Sequence, residues 1–151
     1  MSDRRKQRLE LLYRLREMSV EQARAEHVAA QTELDERRER AEATQRRLEA
    51  LDEWRVVQIV QGAPVVPELL HQAHLYRGAE KLTLEQQRAE QAKQDELTEA
   101  ARGQLSARFE ELSVVERLAA RQAQAATHEE IRRGFVDLDE AGIRKQYEAK
   151  E

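Results

Sequence analysis

The stretch "VVQIVQGAPVVPELL", residues 56–70, decides how the rest of the chain is read. Positions 56–67 carry no charge, in a chain where 37% of residues are charged. Both prolines, Pro64 and Pro67, lie here beside Gly62, together with Val56, Val57, Val60, Val65 and Val66. Such a segment can be a strand, a linker between domains, or the turn of a hairpin. The flanking sequence chooses among them.

Upstream, an apolar repeat steps alternately by four and three from Leu9 onward. One track reads Tyr13, Val20, His27, Leu34, Ala41, Leu48. The other reads Leu9, Arg16, Ala23, Ala30, Arg37, Thr44, Leu51. Both are spaced by seven, the signature of a coiled-coil seam. Arg and Thr make the second track a weak seam, expected to slip or flex. The opposite face carries Glu33–Arg37, Glu36–Arg40 and Glu42–Arg46, pairs that favour an exposed helix by about 0.3–0.5 kcal/mol each. Ser2 or Asp3 is placed to cap its start.

Downstream, a second repeat reads Leu70, Ala73, Leu84, then a polar patch at Gln87, Gln91 and Gln94. It resumes as Ala101, Leu105, Arg108, Leu112, Val115, Ala119. Pro67 suits the first helical position, where its missing N–H is no loss, and Glu68 then sits at the positive helix end. The strand therefore has no partner strand, and the linker reading fails because the two arms look made for each other. What remains is an all-α, antiparallel two-helix coiled-coil hairpin, one elongated rod over 1–151. Its helices are expected at about 3–60 and 67–148, with the turn at 61–66.

A turn centred near 64 and 65 makes facing residues sum to about 129, because both arms rise equally per residue. Val20 is then expected near Phe109, Leu48 near Leu82, and Leu9 near Ala120. His27 falls opposite Arg102 and Gly103, and the glycine is either room for a seam imidazole or a tolerated defect in the helix. The first arm, about 90 Å long, runs out opposite residue ~126. There "THEE", 127–130, has the form of a capping box, and Gly134 and Gly142 follow. The tail thus either continues as one helix or breaks near 127–142.

Composition sets the remaining limits. Aromatics are 4% and the mean hydropathy is -0.87, too little apolar bulk for an ordinary core. The 26 basic and 30 acidic residues are mixed along the chain, without the one-sided basic stripe of a nucleic-acid binder. "RRKQR", 4–8, is soon interrupted by Glu10 and Glu17 and reads as a solvated helix start. There is no cysteine, no apolar run approaching the ~20 residues that cross a bilayer, and no signal-peptide core. A soluble cytoplasmic protein without membrane insertion is expected.

No glycine-rich phosphate loop or nucleophile elbow is present. Glu68, His71 and His74 in "ELLHQAH" fall on successive turns, but not at the i, i+4 spacing of helical zinc motifs. They read as polar residues past a turn, and His128 beside Glu129 is weaker still. No catalytic residue, metal or cofactor is expected, and no enzyme. Trp54, the single tryptophan, sits just below the neutral segment. A thin rod cannot cover it fully, so it is either a local staple or a docking residue.

This layout resembles the FliJ/SctO family, the stalk proteins of flagellar and injectisome export. The similarity rests on "RLEALDEW" (47–54) before the turn, "AEKL" (79–82) after it, and "EELSVVERLAARQAQAA" followed by "VDLDEA". The resemblance implies a non-enzymatic cytoplasmic stalk, peripheral to the inner-membrane export apparatus and monomeric on its own. Its two chain ends would enter a hexameric export ATPase, its hairpin tip would meet the export gate, and it would bind export chaperones. Gate contact in that family maps by position to Leu51, Trp54, Leu75, Ala79 and Leu82. Leu75 stands where the family tends to an aromatic, and Gln58 and Gln86 also depart from the pattern. A generic coiled-coil tether or dimeric scaffold with no motor partner is the alternative reading.

Overall fold

The computed structural model describes residues 2–150 apart from 63 and 65, and not the side chain at position 2. Two helices are present: α1, Ser2–Val60, and α2, Pro67–Glu148. They are packed against each other as an all-α two-helix hairpin. Asp3 lies in the first turn of α1, where a carboxylate suits the positive helix end. The Ser2 side chain, Ala63 and Val65, which the sequence reading also assigned to a cap and to the turn, lie outside the described residues.

The ends facing the turn are set by backbone chemistry. Gln61 N donates to Val57 O at 3.0 Å, and Gly62 follows with φ +60°. A left-handed residue just past the last helical turn is the usual glycine stop, because other L-residues resist that conformation. On the other side Val66 O accepts from Leu69 N at 3.1 Å and from Leu70 N at 3.3 Å. Pro67 opens α2 where no amide proton is needed. Beyond that point α2 carries no proline, and it runs through 127–142 unbroken. Thr127 Oγ1 donates back to Ala123 O at 2.9 Å, so this threonine serves the helix interior rather than capping a new start.

Contacts divide the chain into two compact units, Glu21–Ser106 and Met1–Val20 with Ala107–Glu151. In the first unit, Ala23, Leu34, Ala41, Thr44 and Leu48 of α1 are buried, as are Leu84 and Thr98 of α2. Ala41, Leu48 and Leu84 form an apolar cluster. Leu84, which the α2 repeat placed on the seam, is the buried residue at the level of Leu48, while Leu82 is 62% exposed. The half-buried positions Arg77, Glu80, Gln87, Gln91, Gln94 and Ala101 continue the seven-residue spacing along α2.

The weak second track is held by polar partners across the interface. Arg37 bonds Glu33 at 3.0 Å on its own helix and Glu90 of α2 at 2.9 Å. Thr44 Oγ1 lies 2.6 Å from Gln87 Oε1, and Arg47 reaches Glu80 at 3.3 Å. Gln94 Nε2 and Thr98 Oγ1 each donate to Ala30 O at 3.2 Å. Asp52 with Arg77 meets the expected sum of facing numbers, and Arg37 with Glu90 falls two short of it. Charged and hydroxyl groups at seam positions are thus paired across the interface. Of the three expected same-helix pairs only Glu33–Arg37 forms. Gly103 makes no room for His27: it is exposed, and a Cβ added there would meet nothing within 4 Å.

In the second unit, Val20 and Val115 are buried, while Leu9, Tyr13, Arg16 and Leu112 are half-buried. Arg16 Nη1 donates to Glu111 Oε2 at 2.6 Å. Arg108 and Ala119, expected on the seam, are both exposed. Arg108 turns to Glu111 at 3.3 Å. At Ala119 the cause is reach: an alanine Cβ cannot span the gap, and a cleft of about 770 Å³ opens there. Leu9, Tyr13, Ala119, Ala123 and Ala126 line it.

Candidate interaction surface

A two-helix hairpin uses side chains on the seam and at its edges; the outermost line of each helix does nothing for the fold. Polar residues belong there, so large apolar ones on that line are informative. The α2 seam near the turn runs Leu70, Ala73, Arg77, Glu80, Leu84. Leu75, Ala79 and Leu82 step by four and three along a different line, and all three are exposed. Leu75 and Leu82 show 60% and 62% of their surface.

On α1 the two residues assigned to the same surface sit differently. Leu51 continues the seam, Trp54 lies beside it, and both are half-buried. The five residues are thus at neighbouring levels along one unit, but Leu75 and Leu82 face outward while Leu51 and Trp54 line the interhelical edge. Trp54 is half-buried, so its side chain is covered in part and exposed in part.

An ion pair braces this level. Arg77 Nε and Nη2 donate to Asp52 Oδ1 and Oδ2 at 2.7 and 3.4 Å, a two-point arrangement that links the two helices at this level. That hydrogen bond, aided by the charges of Arg77 and Arg55, holds the Asp52 carboxyl below its ordinary range against a smaller opposing effect of burial. The same bond raises the Arg77 guanidinium.

Closer to the turn, Val56, Ile59, Val60, Val66 and Leu69 are exposed, so the neutral segment presents an apolar end. Glu68, His71 and His74 are exposed as well, and no group of three His, Cys, Asp or Glu among the described residues is placed to hold a metal ion. Among the described residues no helix is long and apolar enough to cross a membrane.

Two further outward lines escaped the sequence reading, both in the unit built from the chain ends. Leu11, Leu15 and Met18 are exposed on α1, and Ile131, Phe135 and Leu138 on α2. Each triplet steps by four and three, as the seam does, but on another line of its helix. The signal was available in that offset. In the sequence the α1 residues look like part of a loose seam until burial shows which line faces the partner helix, whereas on α2 every described residue from 130 onward is exposed. Near the second triplet Glu129 is held below its ordinary range, first by a hydrogen bond from Arg132 and then by the charges of Arg132 and Arg133.

No family model, no curated protein and no solved structure matches the chain.

Proposed function

We propose that the chain is a non-enzymatic stalk and chaperone escort of a type III export apparatus, flagellar or injectisome. In this reading it links a hexameric export ATPase to an export gate from the cytoplasmic side. The support comes from the sequence resemblance together with a two-helix hairpin whose tip region is apolar. One observation carries it: Leu75 and Leu82 stand on the outermost line of α2, where they contribute nothing to the hairpin. A gate protein would cover them with Ala79 and reach the free edge of Leu51 and Trp54. The ring contacts fall to the chain ends, where Ile131, Phe135 and Leu138 are equally unused by the fold.

The test measures affinity for the gate's cytosolic domain together with thermal melting. Replacing Leu75 and Leu82 by Ala is expected to weaken binding by about tenfold or more, with melting and helicity unchanged. Trp54→Ala is expected to weaken it as well, with a small loss of stability because the ring is half-buried. Equal affinity of wild type and both variants would remove the docking assignment. Failure of the purified protein to assemble or stimulate the hexameric ATPase would remove the stalk reading itself. The exposed Ile131–Phe135–Leu138 line favours a second reading, a dimeric scaffold, and sedimentation separates the two: a stalk is a monomer, a scaffold a stable dimer.

A further inference from the structure

From Arg4 to Met18 the outer side of α1 has an unusual composition. Lines of residues seven apart define it once the seam is fixed by Leu9, Tyr13, Arg16 and Val20. The three lines farthest from the seam hold Arg4, Leu11 and Met18; Arg8 and Leu15; and Gln7 and Arg14. They contain three arginines, three large apolar residues and no acid, and of the arginines Arg14 also borders the cleft beside Ala119. The acids of this segment, Asp3, Glu10 and Glu17, fall on one line beside the seam.

Exposure and partnering agree with this pattern. Leu11, Leu15 and Met18 show 61%, 54% and 68% of their surface. Arg4, Arg5, Lys6, Arg8 and Arg14 are exposed, and none forms an ion pair with a described residue. Arg16 alone of the segment's cations is engaged, by Glu111. The chain as a whole has a charge of -4, so this end is a local basic face on an acidic protein.

We infer that the outer face of α1 between Arg4 and Met18 docks on an anionic phospholipid surface. An amphipathic helix with arginines beside an apolar line lies in the interface, its apolar side chains at the headgroup boundary and its cations at the phosphates. The face is already helical and already turned outward, so binding orders little. Three apolar side chains and a few cations give reversible, salt-sensitive attachment rather than insertion. An acidic protein would satisfy the arginines alone, but it gives no reason for three unscreened apolar residues in line with them. The inference does not rest on the export reading. If both hold, lipid-bound and ring-bound protein are alternative states, because both use this end of the chain.

The experiment is co-sedimentation of the full chain with vesicles of phosphatidylcholine, with and without about a third phosphatidylglycerol. Binding is expected only with the anionic lipid and is expected to fall as salt is raised. L11Q/L15Q/M18Q and, separately, R4Q/R8Q are each expected to lower partitioning on the order of tenfold, with helicity by circular dichroism unchanged. I131Q/F135Q is expected to bind as wild type does. Equal binding to both vesicle types, no binding to either, or wild-type partitioning by the two α1 variants would overturn the proposal. Retention on an immobilised acidic peptide without vesicle binding would overturn it in favour of a protein partner.

Discussion

The polar layer at Thr44 is the place to ask what the seam's hydrogen bonds contribute. Thr44 is the most deeply buried side chain of the seam, with none of its surface exposed. Its hydroxyl lies 2.6 Å from Gln87 Oε1 and 3.1 Å from Arg40 O, and it accepts from Arg47 Nη2 at 3.0 Å. Ala41 and Leu48, one helical turn before and after it, form a buried apolar cluster with Leu84. Thr44→Val loses a hydrogen bond of about 1 kcal/mol. It adds a buried methyl worth about 0.8 kcal/mol, so the single variant stays within about 1 kcal/mol of wild type. Gln87→Leu leaves the threonine its bond to Arg40 O and gains apolar burial. The double variant T44V/Q87L removes the acceptor of Arg47 Nη2, but Arg47 is exposed and turns to water, so no buried group is orphaned and the site joins the existing apolar cluster. It is expected to exceed wild type by about 2 kcal/mol, a rise in melting temperature of roughly 5 °C for a chain of this size. Urea or thermal unfolding followed at 222 nm measures it. Specificity is expected to move the other way: without a polar pair to mark the register, sedimentation of the double variant should show self-association absent from wild type. A double variant less stable than wild type would show that the layer is a net source of stability, refuting the reasoning.

Two further predictions use the backbone and the ion pair near the turn. Gly103→Ala is expected to raise stability by about 0.5–1 kcal/mol, because the site is helical and open. Gly62→Ala is expected to lower it by about 1 kcal/mol through its positive φ; unfolding midpoints that move in the same direction would contradict the pair. The folded Asp52 carboxyl titrates below its ordinary value of 3.8, so its contribution is complete above that pH and is lost as pH falls through the folded value. The stability difference between wild type and Asp52→Asn is therefore expected to be constant at neutral pH and to shrink below about pH 4, and a difference that grows on acidification would reverse the assigned sign.

The fold was legible because its determinants are local or periodic. Gly62, Pro64 and Pro67 are conformational instructions that act wherever they stand, and a seven-residue period names the interface without any knowledge of the partner. What the period could not convey was how the exceptions would be resolved. Arg16, Arg37 and Thr44 count against a seam when each arm is read alone, since an unpaired buried polar group is costly. They become paired groups once Glu111, Glu90 and Gln87 are set opposite them, and those partners are 95, 53 and 43 residues away. The pairing is a property of two segments together.

The same limit governs the candidate surfaces. Leu51 and Trp54 were visible because they stand at the edge of the neutral segment, and their half-burial shows why position alone could not divide staple from docking residue. Leu11, Leu15 and Met18 were not visible, because Leu12 and Tyr13 lie among them and five of the helix's seven lines there carry something apolar. Only the seam's direction, fixed by Leu9, Tyr13, Arg16 and Val20 against α2, turns one of those lines into surface. A basic run that looks like a frayed helix start then acquires three apolar neighbours on its own face. The outward residues of this hairpin are thus the part of the sequence that the fold leaves unexplained, and on physical grounds they are where its partners should be sought.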